Sequence, residues 1–335
     1  MKAVIIGDGG WGTALATVLI GNGHDVTLWG PFPDYVAGMR QTRTNPLYLP
    51  GVDLPPALTL TADPVEACAG AGLAVLAVPT KFYRSVLTRF RGLLPPGCLI
   101  VSVAKGFDPA TGSRMSAVAE EVLEHGPVVA LSGPSHAEEV ARRSPTCVVA
   151  ACRDHALAVR AQEAFISNRF RVYTSDDVVG VEMGGALKNV IALAVGMCDG
   201  LGFGDNSRAA LITRGLAEMS RLGMAYGASP VTFAGLSGIG DLIVTCTSKL
   251  SRNHTVGERL GKGETLAQIT GSMKQVAEGV TNCVTARELA LRKGIEAPVI
   301  SEVHAILYEG RRADEVLELF MARSAKPEAG GKHSG

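Results

Sequence analysis

Aromatic side chains are scarce: 2 Trp, 6 Tyr and 9 Phe make up 5% of 335 residues. The core must therefore be built from Ala, Val, Leu and Ile. Net charge is also absent, because 32 Lys and Arg balance 32 Asp and Glu. No basic run exceeds a pair (Arg142-Arg143, Arg311-Arg312). That argues against nucleic acid or an anionic membrane as a main partner, and any anionic small molecule must be held by a local site. The seven cysteines, at positions 68, 98, 147, 152, 198, 246 and 283, contain no Cys-x-x-Cys pair. Their odd number and apolar settings favour free thiols in a reducing compartment over a disulfide scaffold or zinc site. No stretch approaches 18 uninterrupted apolar residues, and the run from Asn189 to Cys198 is too short to span a bilayer. Gly7-Asp8-Gly9-Gly10 cuts the opening apolar run too early for a signal peptide. The expectation is a soluble, cytoplasmic chain. Paired carboxylates, His-Glu-x-x-His, a serine-hydrolase elbow and histidines at metal-ligand spacing are all missing, so no metal is expected.

What is present is 47% hydrophobic residues and 40 glycines against 19% charged residues, which excludes disorder as the main state. The length suits about two domains. Short β-branched runs at 4–6, 26–29, 74–78, 99–103, 128–131, 147–150 and 171–173 alternate with helical segments up to residue 166. Continuous apolar strands separated by helices predict a mostly parallel sheet covered on both faces. Beyond Asp176 no β-rich run remains, and helical patterns occupy 178–198, 208–222, 256–261, 283–293, 299–308 and 314–322. The expected fold is α/β, an N-terminal Rossmann-type doubly wound sheet (1–177) followed by an all-α C-terminal domain (178–324). A flexible tail is expected at 325–335.

The opening strand runs into Gly7-Asp8-Gly9-Gly10-Trp11-Gly12 and then a helix. In that context Gly-x-Gly-x-x-Gly allows a tight turn, lets a pyrophosphate approach the backbone and offers it a helix N-terminus. A glycine-rich turn without a ligand is the plainer alternative. At the end of the second strand, where a carboxylate would hold a ribose 2′-hydroxyl, the chain reads Trp29-Gly30-Pro31. The expected cofactor is thus NAD or NADP, with both accepted.

Between Val178 and Cys198 the helical pattern is apolar except at Glu182, Lys188 and Asn189. Gly184, Gly185 and Ala192 lie on the Lys188 face and leave room for something to approach its ammonium. Such a lysine either snorkels, pairs with a carboxylate, or acts as the proton donor that hydride reduction of a ketone requires. Ser251-Arg252-Asn253 offers a guanidinium fork and neutral donors suited to phosphate, or is simply a helix cap with a solvated Arg. Asp241 is a turn residue, an Arg partner or part of the site. Lys105 and the 132–139 turn follow apolar runs as loops, where open α/β sheets bind ligands; a solvated lysine and a plain loop are the alternatives.

These segments, with Ala104-Lys105-Gly106, Ser132-Gly133-Pro134-Ser135, Gly185-Ala-Leu-Lys188-Asn189-Val and Gly238-Ile-Gly-Asp241-Leu in order, resemble the bacterial-type glycerol-3-phosphate dehydrogenases that use NAD(P)+. The resemblance runs from the glycine loop to the helices around residue 300. It implies a cytoplasmic homodimer that interconverts dihydroxyacetone phosphate and sn-glycerol 3-phosphate for phospholipid synthesis. It makes Lys188 the proton donor and acceptor. It places Lys105, Gly133, Ser135, Asp241, Ser251, Arg252 and Asn253 on the substrate. It places Gly10, Trp11, Lys105, Ala137, Arg252, Val276 and Glu278 on the coenzyme, beside Gly7, Gly9 and Gly12 of the loop. Three positions depart from the pattern: Gly10 (often Ser), Pro31 (often a cation) and His136 (usually Phe). The rival readings are a β-hydroxyacid dehydrogenase of similar plan and a non-catalytic NAD(P)-binding sensor.

Overall fold

The structure, a computed structural model, describes residues 1–273 and 277–315. Val276, most of the helical pattern at 314–322 and the tail at 325–335 lie outside the described residues. The strands are β1 (Lys2–Ile6), β2 (Asp25–Trp29), β3 (Thr44–Asn45), β4 (Leu49–Asp53), β5 (Thr59–Thr61), β6 (Leu73–Leu76), β7 (Leu99–Ser102), β8 (Val129–Ser132), β9 (Thr146–Ala151) and β10 (Phe170–Ser175). Eight form one sheet in the order β10-β9-β8-β7-β6-β1-β2-β5, while β3 and β4 make a separate hairpin. Every pairing in the large sheet is parallel except β8 with β9. From β1 the chain builds outward through β2 to β5, then returns to the other side at β6. That reversal puts the loop after β1 at the switch point of the sheet, where open α/β sheets bind ligands.

Alternate residues of β1 feed opposite cores. Ala3 and Ile5 join Leu15, Leu19 and Phe165 on one face, and Val4 and Ile6 join Tyr83, Leu87 and Phe90 on the other. This is the packing that a continuous apolar strand requires. The expected Rossmann-type sheet is therefore present. The three-residue edge strand β5 and the hairpin strand β4, which contains Pro50 and Gly51, are additions that no apolar run announces.

The last strand ends at Ser175, and a 23-residue helix, Val178–Gly200, begins under an Asp177 cap that accepts from Gly180 N at 2.8 Å. Its length and the mean hydropathy of 1.6 over its most apolar 18-residue window would let it cross a bilayer, but 94% of that window is buried within the protein. Counting uninterrupted apolar residues passes over this helix, because Glu182, Lys188 and Asn189 break the run without lowering the mean much. Pro230–Thr247 meets the same length and hydropathy test with 39% buried, and it is divided by Gly235 and a π-helical turn at Leu236–Gly240.

Helices Asp205–Ala225, Asp241–Thr247, Arg252–Gly261 and Glu278–Lys293 pack around the Val178–Gly200 helix. The tightest approach is reciprocal. A Cβ at Gly196 or Gly200 would overlap the carbonyls of His254 and Glu258, and a Cβ at Gly257 or Gly261 would overlap those of Leu193 and Met197. The two helices thus meet backbone to backbone, and the helix that begins at Arg252 is fixed to the one that carries Lys188. Buried Glu182 ties the helical part to the sheet, accepting from Ser116 N (2.7 Å), Ser116 Oγ (2.6 Å) and Arg114 Nη1 (2.5 Å).

Candidate active site

Lys188 is buried, and its ammonium donates to Asp241 Oδ1 at 2.5 Å and to Thr245 Oγ1 at 2.8 Å. Of the alternatives open in the sequence, snorkelling is thus excluded and pairing with a carboxylate is realised. The second oxygen of Asp241 accepts from Lys105 Nζ at 2.8 Å, and Lys105 also donates to the Gly133 carbonyl at 2.8 Å. Lys105 is therefore no solvated surface lysine. Ser135 Oγ completes this edge, donating to Gly133 O at 2.8 Å and lying 3.5 Å from Lys105 Nζ. Residues 105, 133, 135, 188 and 241 come from loops after β7 and β8, the long helix and the start of Asp241–Thr247. The structure brings all five together.

The small face beside Lys188 serves a different purpose from the one its sequence suggests. A Cβ at Gly184 would overlap the carbonyl of Ser237, and one at Gly185 would crowd Ser132 Oγ and the Lys105 stem. The room is filled by protein: it admits the π-helical turn that delivers Asp241, and it admits Lys105. Two cations on one buried carboxylate leave a local excess of positive charge. Burial pushes the Lys188 ammonium down to about 7 despite the attraction of Asp241, and the Lys105 charge lowers it further. Burial alone would raise Asp241, yet Lys105 and then Lys188 outweigh it and hold the carboxyl below its usual range. His136 faces the same lysines. Burial, then Lys188 and Lys105, lowers its imidazole below the ordinary histidine value.

The Ser-Arg-Asn segment divides its work. Ser251 caps the Arg252–Gly261 helix, its Oγ accepting from His254 N at 3.2 Å. Asn253 is buried, donating to Asn189 Oδ1 at 3.0 Å and accepting from Gly279 N at 2.8 Å. Asn189 in turn donates to the Lys105 carbonyl at 3.3 Å, so Asn253 braces Lys105 through the long helix. Arg252 stays solvent-accessible at the first position of its helix, under the charges of Glu278 and Glu138. Glu278 accepts from Thr80 N at 3.1 Å and from the Thr80 hydroxyl, spanning from the helical part to the sheet. Thr245, Asn189 and Asn282, which donates to the carbonyls of Lys105 and Ala186 at 3.2 Å, received no role from sequence. Asn189 alone carried a signal, as a polar break in an apolar helix.

The glycine loop fits a dinucleotide. Gly7 has φ +119°, and a Cβ there would overlap the Ala77 carbonyl. The helix Gly10–Gly21 begins after Gly9 with no side-chain cap among the described residues and no acid in its first turn, which suits its N–H groups and dipole to an anion. Nothing lies within 4 Å of a Cβ built on Gly9. Asp8 Oδ2 and Trp11 Nε1 are buried polar atoms without a partner among the described residues. A Cβ on Gly10 would overlap the Tyr48 carbonyl, so the departure from Ser at this position is one the β3–β4 hairpin enforces. Ala137 starts the helix Ala137–Ala141 beside Gly10, its Cβ 3.7 Å from that position.

Comparison with known proteins agrees with this geometry. The model of the NAD-dependent glycerol-3-phosphate dehydrogenase N-terminus matches residues 2–158, and that of the C-terminus matches residues 177–318. The chain is 52% identical to an NAD(P)+ glycerol-3-phosphate dehydrogenase of Geobacter metallireducens, covering 98% of this chain and 99% of that protein. It is 48% identical to the one of Streptomyces coelicolor, covering 98% of each chain. The crystal structure of glycerol-3-phosphate dehydrogenase from Coxiella burnetii superposes with a TM-score of 0.92 at 37% identity, covering 96% of this chain and 99% of that one. A ketopantoate reductase from Ralstonia eutropha shares the fold alone, at 17% identity and a TM-score of 0.62. With both halves matched and full-length relatives near half identity, the chain belongs to the NAD-dependent glycerol-3-phosphate dehydrogenase family.

Proposed function

We propose that this chain interconverts dihydroxyacetone phosphate and sn-glycerol 3-phosphate with NAD(P)(H), Lys188 moving the proton. The observation that carries the reading is a buried lysine poised near neutrality against Asp241 and Thr245. A group that must give a proton in one direction and take it in the other works best with a pKa near the operating pH. When bound at the glycine loop, the nicotinamide coenzyme would supply or accept the hydride at C2. In reduction, the Lys188 ammonium meets the carbonyl oxygen, offsets its developing negative charge and donates a proton to make the hydroxyl. In oxidation, neutral Lys188 takes that hydroxyl proton. Asp241 sets how much of Lys188 is protonated, and Thr245 Oγ1, which donates to the Asp241 carbonyl at 2.6 Å, turns its lone pair to the ammonium.

Lys105 and Arg252 are the cations assigned to the substrate phosphate, with Gly133, Ser135, Ser251 and Asn253 shaping or lining the same pocket. Gly7, Gly9, Gly10, Trp11, Gly12 and Ala137 surround the helix N-terminus assigned to the coenzyme pyrophosphate. Arg252 and Glu278 bridge to it from the helical part, and Val276 keeps its sequence assignment. This reading carries with it the organisation into 1–177 and 178–324, a cytoplasmic homodimer and a supply of glycerol 3-phosphate for phospholipids. The test is Lys188→Ala: kcat for dihydroxyacetone phosphate reduction should fall by about 10²–10⁴-fold with little change in coenzyme affinity. Turnover like that of the wild type would sink the mechanism.

A further inference from the structure

The end of β2 has neither the carboxylate that marks NAD nor the cation that suits NADP. The structure places a carboxylate there from elsewhere in the chain. Gly7 N donates to Trp29 O at 3.0 Å, so the glycine loop and the end of β2 lie side by side. A Cβ on Gly30 would overlap the Asp8 carboxylate. Asp8 therefore occupies the space in which a side chain at residue 30 would begin. Its main chain is pinned, because Asn45 Nδ2 donates to Asp8 O at 2.8 Å and to Thr13 Oγ1 at 2.8 Å. One oxygen of its side chain is not satisfied. Asp8 is 5% exposed, and Oδ2 has no hydrogen-bond partner among the described residues. The Tyr35 hydroxyl nearby is already committed, donating to Asn45 Oδ1 at 2.6 Å. Burial raises Asp8 to about 6 against a hydrogen bond from its own backbone, which lowers it. A buried carboxylate oxygen with an empty acceptor site is costly unless a ligand supplies the donor.

We propose that Asp8 is the residue that reads the adenosine ribose: its Oδ2 accepts from the 2′-hydroxyl of NAD(H), and its charge disfavours the 2′-phosphate of NADP(H). The inference rests on the coenzyme site described above and replaces the expectation that both coenzymes are taken alike. A carboxylate is acceptor-only when ionised, so it matches a hydroxyl donor and repels a phosphate. Gly30 is what admits it, since any larger residue there would displace the carboxylate.

Calorimetric titration of the full chain with ADP-ribose and with 2′-phospho-ADP-ribose tests this without catalysis. The wild type should favour ADP-ribose by at least about tenfold, the scale of one charge-assisted hydrogen bond. Asp8→Ala should weaken ADP-ribose by about tenfold while the phosphorylated ligand binds as well as before or better. Asp8→Asn keeps an acceptor without the charge. It should hold more of the ADP-ribose affinity and gain at least several-fold on the phosphorylated ligand, and it covers the case in which the alanine variant does not fold. The proposal is overturned if the wild type binds the two ligands equally, or if the substitutions change both affinities by the same factor, which is what a purely structural role predicts. Failure of the wild type to bind either ligand would overturn it together with the coenzyme site, and so is distinct from a failure of discrimination alone.

Discussion

Asp241→Asn removes one charge from the centre of the site and keeps its shape. Asp241 sits between the ammonium groups of Lys188, at 2.5 Å, and Lys105, at 2.8 Å. At an effective dielectric constant near 20, two unit charges about 4 Å apart interact by about 4 kcal/mol. Taking between half and all of that as the lost attraction, about 2–4 kcal/mol, lowers Lys188 by roughly 1.5–3 pH units from its value near 7. Lys188 then sheds its proton rather than remain a buried, unpaired cation. At pH 7.5 the protonated fraction falls from roughly a quarter to about one in a hundred or less, so reduction should slow by roughly 25- to 750-fold. The assay is NADH oxidation with saturating dihydroxyacetone phosphate across pH 5.5–9. For the wild type, reduction should be fastest below about 7 and decline as Lys188 deprotonates above it, while oxidation of glycerol 3-phosphate should rise through the same interval. In the variant, reduction should still be climbing as pH falls through 6, with no plateau at the wild-type position. A variant that keeps the wild-type inflection and plateau would refute the idea that Asp241 sets the protonation of Lys188, and would leave it a purely structural ion pair.

The remaining predictions concern the phosphate and the helix pair. Arg252→Ala should cut kcat/KM for dihydroxyacetone phosphate at least about tenfold at saturating NADH, and that for unphosphorylated dihydroxyacetone much less. Equal losses on both ketones would move Arg252 to the coenzyme or the fold. Arg252→Lys should restore only part of the loss, since an ammonium brings charge without the fork. Gly257→Ala puts a methyl into the Leu193 carbonyl and should cost about 1–3 kcal/mol, read as a Tm lower by several degrees. Gly38→Ala, where nothing lies within 4 Å, should leave Tm unchanged or raise it slightly. Equal melting shifts in the two variants would count against backbone contact as the reason for Gly257.

The fold was legible where its elements are driven by burial on a regular period. β1, β2 and β6 to β9 are mostly apolar runs because both faces of the sheet are covered, and such runs can be read without knowing the neighbours; the edge strand β10 instead alternates, burying Phe170 and Val172 and exposing Arg171 and Tyr173. The edge strand Thr59–Thr61 and the hairpin around Pro50-Gly51 carry no such period; they exist because β2 and the glycine loop offer them partners. The glycines at 196, 200, 257 and 261 show the same limit in the helical part. Their four-residue spacing is visible in each helix separately, but spacing alone does not say that the two stripes face each other.

In the site, residue types were legible and pairings were not. Lys188 stands out because a charge in an apolar helix demands compensation, yet the compensating Asp241 lies 53 residues further along and reaches it through a π-helical turn that no pattern announced. The glycines beside Lys188 suggested open space because a sequence shows only the missing side chain. What fills the gap, the Ser237 carbonyl and the Lys105 stem, is a property of the tertiary packing. The same reasoning bears on Asp8. Read along the chain it is a tolerated residue between two required glycines, with the ribose-reading position apparently empty at Gly30. The hydrogen bond from Gly7 to Trp29 makes those two positions one place, so a carboxylate can be supplied from either strand end. If Asp8 reads the ribose as proposed, coenzyme preference in this chain depends on the side chains that converge on the end of β2, whichever segment contributes them, and a reading confined to β2 itself misses one that arrives from β1.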